Sequence, residues 1–211
     1  MIIFNRVTKN EIKNLSFYVN PGDFIYIHND SKKSIDTFFK LLNGTIKPTH
    51  GVIRFLSGGS YSTKVPRNKI GIVFNDNILL PDRTIEENLK FIMHIKKIDM
   101  KYHQNRIKRI LEVVDIKKYL NEKPGNLLDH QLLRANIAQA IINYPPVLVL
   151  DNPTYKLDEV NTQSIYHLLK RLNHLSITIV LLSCKNNIIM DNDIRKININ
   201  SNSCRKKGSY A

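Results

Sequence analysis

Val147-Leu148-Val149-Leu150-Asp151-Asn152-Pro153-Thr154-Tyr155-Lys156-Leu157-Asp158 is the stretch that decides the fold class. Its first four residues are apolar without alternation, the pattern of a strand covered on both faces. The strand ends at the carboxylate of Asp151. Upstream, Leu127 to Ile142 carries apolar residues at helical spacing. Downstream, a helix is expected at about Val160 to Leu172 and a second buried strand at Ile177 to Leu182. Helix, strand, helix, strand is the alternation of an α/β fold.

The opening third is richer in strands, with β-branched segments at Ile2 to Val7, Leu15 to Val19, Phe24 to His28 and Gly51 to Phe55, and a turn at Pro21-Gly22. Between the last two segments, Thr37 to Asn43 has helical spacing and stops before Gly44, a residue suited to the C′ position. A strand is expected at Lys69 to Phe74. From Ile85 to about Tyr119 the pattern is helical, with charged faces at Glu86-Glu87 and Lys96-Lys97. The chain therefore reads as one domain over residues 1–200, with a helical subdomain at about 85–143 and a polar, basic tail at 201–211 that has nothing to bury. No internal repeat is present.

The 211 residues suffice for one core, and 42% hydrophobic with 24% charged residues is ordinary for a folded globular chain. The longest apolar run is far shorter than the roughly 20 residues of a spanning helix. Direct membrane insertion is not expected, and the Met1 to Phe4 start, strand-like at once, points to the cytoplasm. Two cysteines, Cys184 and Cys204, make neither a disulfide framework nor a zinc site, and the seven histidines have no metal-ligand spacing. The net charge of +14 suggests a polyanionic partner. The cations are nevertheless spread along the whole chain, with no compact basic and aromatic motif, so no specific nucleic acid is expected.

The stretch from Asp151 to Asp158 resembles the Walker B and D-loop segment of ABC ATPases, usually written DEPT followed by LD. Ile70-Gly71-Ile72-Val73-Phe74-Asn75-Asp76-Asn77-Ile78-Leu79-Leu80-Pro81-Asp82-Arg83-Thr84 resembles the Q-loop segment of the FtsE cell-division subunits. The resemblance runs in order through nearly the whole chain. It implies an ABC nucleotide-binding domain with a RecA-like core, an antiparallel β-subdomain and a helical subdomain. It also implies ATP and Mg as cofactors, a homodimer with Leu157 and Asp158 at its interface, and a membrane partner of the FtsX kind. Through that partner the chain would sit at the inner face of the plasma membrane.

A phosphate-binding loop needs glycines whose N–H groups wrap the phosphates, a lysine for the outer phosphates and a hydroxyl for magnesium. The segment aligned with GxxxxGK[ST] is Asn29-Asp30-Ser31-Lys32-Lys33-Ser34-Ile35-Asp36, followed by Thr37. Ile35 stands where the lysine belongs, and Asp36 puts a carboxylate where magnesium and phosphate oxygens would lie. Two like charges about 4 Å apart cost about 1 kcal/mol in water and about 4 at an effective dielectric near 20. Lys32 and Lys33 read either as charge lent to a phosphate or as a solvated loop beside a helix capped by Ser34 or Asp36.

The other motifs depart in the same direction. Asn75 replaces the Q-loop glutamine. Asp151 keeps the magnesium-orienting carboxylate, but Asn152 replaces the glutamate base, and an amide accepts no proton at neutral pH. Leu128, Asp129 and His130 occupy the signature motif in place of its serine and glycines. Cys184 aligns with the switch histidine, and Thr8 to Lys13 offers no aromatic ring for adenine. A non-catalytic subunit is expected, with no catalytic residue assigned. Phe74, Leu79, Leu80, Pro81 and Arg83 are candidates for contact with the membrane partner or, equally, for packing at the subdomain junction. Two other readings stand beside this one: an active ATPase using an altered loop, and a basic RNA-associated or eroding protein.

Overall fold

The structure, a computed structural model, describes residues 1–184 and 194–199. Two sheets share the work of burying the chain. The first is antiparallel, with β1 (Ile2–Lys9), β2 (Ile12–Val19), β4 (His50–Ser57) and β5 (Ser60–Ser62) in the order β2-β1-β4-β5. The second is parallel throughout, with β3 (Phe24–His28), β6 (Ile70–Val73), β7 (Val147–Asp151), β8 (Thr178–Ser183) and β9 (Arg195–Asn198) in the order β6-β7-β8-β3-β9.

The unbroken apolar runs become central strands of the second sheet because both of its faces are covered. Ile25, Ile27, Val149, Val180 and Leu182 join a cluster with the antiparallel sheet and helix α1 (Lys32–Leu42). Their neighbours Tyr26, Leu148, Leu150, Ile179 and Leu181 face the other way, into a cluster with the remaining helices. These are α2 (Ile85–Ile95), α3 (His103–Val113), α4 (Asp129–Ile141) and α5 (Glu159–His174). Stacked rings of Phe4, Phe17 and Phe38 tie α1 to the antiparallel sheet, with centroids 4.6 to 6.0 Å apart. β6 and α4 meet so closely at Gly71 that a Cβ there would lie 2.5 Å from the Ala140 carbonyl oxygen. That contact fixes where the chain leaves β6 for the segment beginning at Phe74.

Most expected elements lie within a few residues of their sequence-derived limits. Three differ. β5 has no apolar signal, since all three residues are exposed, and β9 is short and part-polar. α1 begins at Lys32, five residues before the helical spacing becomes visible at Thr37. Gly44 does take a left-handed conformation after α1, with φ +75°. The polar tail at 201–211 and Cys204 lie outside the described residues. Among the described residues no helix is long and apolar enough to cross a membrane.

Candidate functional site: the carboxyl edge of the parallel sheet

Ligands of open α/β sheets bind beyond the carboxyl ends of the strands. Here β3, β7 and β8 end side by side: His28 pairs with Ser183, and Asp151 pairs with Leu182. The register carries on past the strands, as the Asn29 N–H donates to the Ser183 carbonyl (3.3 Å) and the Asn152 N–H to that of Leu182 (2.9 Å). The sheet therefore gathers Asn29, Asp151, Asn152 and Cys184, which are far apart in sequence, at one edge.

After β3 the chain makes a three-residue turn and is helical by Lys32. The Asn29 side chain, 1% exposed, accepts a bond from Ser31 N–H (2.7 Å). Ser31, with extended backbone, caps the helix by accepting from Ser34 N–H (3.4 Å). The cap is thus Ser31, not Ser34 or Asp36. Asp30 is exposed on the turn, and Lys32 and Lys33 are exposed on the first turn of α1 rather than in a loop. The Ser34 Oγ is buried without a hydrogen-bond partner, and Ile35 is 1% exposed within the apolar cluster. Thr37, also buried, accepts a bond from the Asn10 side chain (3.3 Å), so its hydroxyl is tied to the β1–β2 turn.

Two carboxylates and a cation share the edge. Burial pushes the Asp151 carboxyl up to about 6, helped by the charge of Asp36 and weakly by Asp76, and opposed by Lys32. Burial also raises the Cys184 thiol, and Asp36 and Asp151 add to it against Lys32. Asn152 turns the chain after Asp151 in a left-handed conformation, φ +46°, which asparagine tolerates better than most residues. Its Oδ1 lies 3.4 Å from the Cys184 N–H. Thr154 behind it is buried.

The flanking motifs sit around this edge. Asn75 is half-buried, its Oδ1 buried without a partner. Phe74 is 39% exposed and meets Phe39 edge to face. It lines a cavity of about 360 Å³ with Gly71, Ile78, Ile92, Lys96 and Gln139. Leu79, 4% exposed, belongs to the core and so packs at the subdomain junction instead of offering a docking surface. Leu80 is held through its backbone, which both donates to and accepts from Asn88 (2.7 and 3.1 Å). Pro81 is exposed, and the Arg83 guanidinium lies over the Phe91 ring at 4.6 Å. Asn88 and Phe91 were not singled out from the sequence. The capping box Thr84-x-x-Glu87 that anchors their helix was the available signal.

At α4, Leu128 is 62% exposed and Asp129 supplies a carboxylate to the helix's own N-terminus. His130 is half-buried and lies near Asp158. Asp158 caps α5, accepting from Asn161 N–H (2.8 Å), and these bonds hold its carboxyl below the ordinary value. Leu157 packs against the core. Among the described residues no three His, Cys, Asp or Glu side chains are grouped as a metal site.

A two-sheet α/β domain that presents its strand ends between a helix N-terminus and a helical layer is the architecture of an ATP-binding cassette, and the ABC transporter family matches residues 12–155. The chain belongs to that family. Within it the chain is FtsE-like. It is 31% identical over 183 residues to the cell division ATP-binding protein FtsE of Streptococcus pneumoniae serotype 2 (strain D39), covering 84% of this chain and 80% of that one. It is 29% identical over the same length, with the same coverage, to FtsE of Bacillus subtilis strain 168. The bacterial ABC transporter cassette MJ0796, solved as a dimer, superposes with a TM-score of 0.77 at 26% identity over 95% of both chains.

Proposed function

We propose that this chain is an FtsE-like subunit that works by assembly rather than by turnover, docking as a dimer on an FtsX-like membrane partner in cell division or wall remodelling. The observation that carries this reading is the start of α1. A triphosphate needs a backbone loop open to it and an ammonium group on it. Here the same residues form a capped helical turn, and the lysine position is a core isoleucine. The residues present do not fit ATP with Mg: Asp36 adds negative charge beside Asp151, and the buried Ser34 hydroxyl is held away from solvent.

The retained cassette surfaces support docking. The cavity beside Phe74 and the hollow that Arg83 lines with Phe91 are the places for a partner helix, with exposed Pro81 and half-buried Leu80 on the chain between Phe74 and Arg83. Leu157 and Asp158 would face the second copy. Helices over 85–143 would act as the helical subdomain, and the chain would be peripheral at the inner face of the plasma membrane. Co-purification with an FtsX-like protein, with phosphate release followed in the complex, tests the reading. Stable association without phosphate release above background is expected; ATP-dependent release in the complex would overturn it.

A second reading has one observation in its favour. Lys32 is close enough to Asp151 and Cys184 to shift both, so it could serve a phosphate in an altered geometry. In that case Lys32→Ala with Lys33→Ala abolishes nucleotide binding that the natural chain possesses.

A further inference from the structure

Between α2 and α3 the chain forms a tip that borders both hollows described above, through Lys96 and Met100. Within residues 95–102 stand three large apolar side chains exposed to water: Ile95 (53%), Met100 (79%) and Tyr102 (52%). Exposed lysines Lys96, Lys97 and Lys101 alternate with them, against the single carboxylate of Asp99. The Lys101 ammonium lies 4.9 Å from the centre of the Tyr102 ring.

The tip is built, not frayed. Lys97 turns the chain with φ +55°, and its N–H donates to His94 (2.9 Å). The Ile98 N–H reaches Met93 (3.0 Å), and Asp99 accepts from Lys101 N–H (3.1 Å). Buried His103 bonds the Ile98 carbonyl through Nε2 (2.9 Å). Ile98 itself packs on the core. Local bonds thus hold the backbone while the apolar side chains point outward, an arrangement that leaves apolar area in water unless something covers it.

We infer that this tip is an interfacial binding surface for an anionic lipid bilayer. Ile95 and Tyr102 line neither of the hollows described above, and Met100, the most exposed of the three, borders the one at Arg83 and Phe91. The headgroup–acyl boundary accepts protruding apolar side chains without shape complementarity. A tyrosine, apolar with a polar tip, suits that boundary, and lysine stems lie along it with their charges outward. Lysines near an anionic surface each strengthen binding about fivefold. The surface shares Lys96 and Met100 with the two hollows given above to a partner helix, so a bilayer of lipid alone, with no membrane protein, separates the two readings.

Co-sedimentation of the full chain with vesicles tests it. Vesicles of phosphatidylcholine containing about a third phosphatidylglycerol should bind the chain, and phosphatidylcholine alone should bind it far less. Met100→Asp with Tyr102→Asp should weaken binding at least tenfold, as should Lys96→Glu with Lys97→Glu. Lys13→Glu with Lys47→Glu, on the antiparallel-sheet side, should retain binding. All substituted side chains are exposed, so thermal unfolding should be unchanged. Failure of the natural chain to sediment with anionic vesicles overturns the inference. So does unchanged binding by the Met100 and Tyr102 variant, or equal loss in the Lys13 and Lys47 control; the latter would mean that overall charge alone is responsible.

Discussion

β7 and β3 flank β8 in one parallel sheet and deliver their loops to the same edge, yet the two loops have different fates. Inside the sheet they are alike: Ile25, Ile27, Leu148 and Leu150 are all fully buried. Past the last residue they diverge. β7 ends in Asp151, turns through a left-handed Asn152 and buries Thr154. β3 ends in a capped helix that places Ile35 in the core. Packing dictates residue type within a strand, whereas beyond it the ligand's chemistry does. On the function proposed above, that chemistry is given up at the β3 edge, and local capping and burial decide instead.

The sharpest way to break the comparison is Ile35→Lys. An open phosphate loop would present the ammonium to solvent, and the change would be nearly neutral. In the described geometry it buries an unpaired charge, and a loss on the order of 3–5 kcal/mol is expected in denaturant unfolding. Leu150→Ala, on the β7 side, should cost about 3 kcal/mol by the same measurement, because it opens a cavity in a fully buried position.

Smaller effects separate the two loops electrostatically. The Asp151 carboxyl titrates near 6 in the folded chain against an ordinary 3.8, so the folded state takes up its proton first. Its contribution favours folding at low pH and is lost as the pH rises through about 6. Asp151→Asn should flatten this part of the pH–stability curve and raise stability at pH 7.5 by on the order of 1 kcal/mol, after allowance for solvent screening. Asp36→Asn should lower the Asp151 value, seen as a shift of the same midpoint in carboxyl chemical shift. Smallest is Ser31→Ala, which removes the α1 cap and should cost about 0.5–1 kcal/mol in thermal unfolding.

The strands and the long helices were legible because burial imposes a period on the sequence. The β7 run and the capping box at Thr84 are the clearest cases. The start of α1 was not legible: Asn29 to Asp36 is polar but for Ile35, so it shows no apolar period, and aligned as a phosphate-binding loop it gives Ser31 no role. The capping Ser and the buried Ile35, four residues apart, carried the signal of an earlier helix start. β5 and β9 escaped because their pairing comes from neighbouring strands, not from their own apolar content. At the site, the types of the replaced residues were readable. Their coupling was not, because Asp36, Asp151 and Cys184 are brought together by a register that no spacing reveals. The burial of Leu79 was likewise hidden, since an apolar residue beside Pro81 reads equally well as exposed or packed.

The central claim is that the β3 edge has closed to a triphosphate. Titration of the purified chain with a fluorescent ATP analogue and magnesium tests it most directly. No saturable binding is predicted, with the Lys32→Ala and Lys33→Ala variant indistinguishable from the natural chain. Saturable binding that this variant abolishes would contradict the account and make the first turn of α1 a working phosphate site.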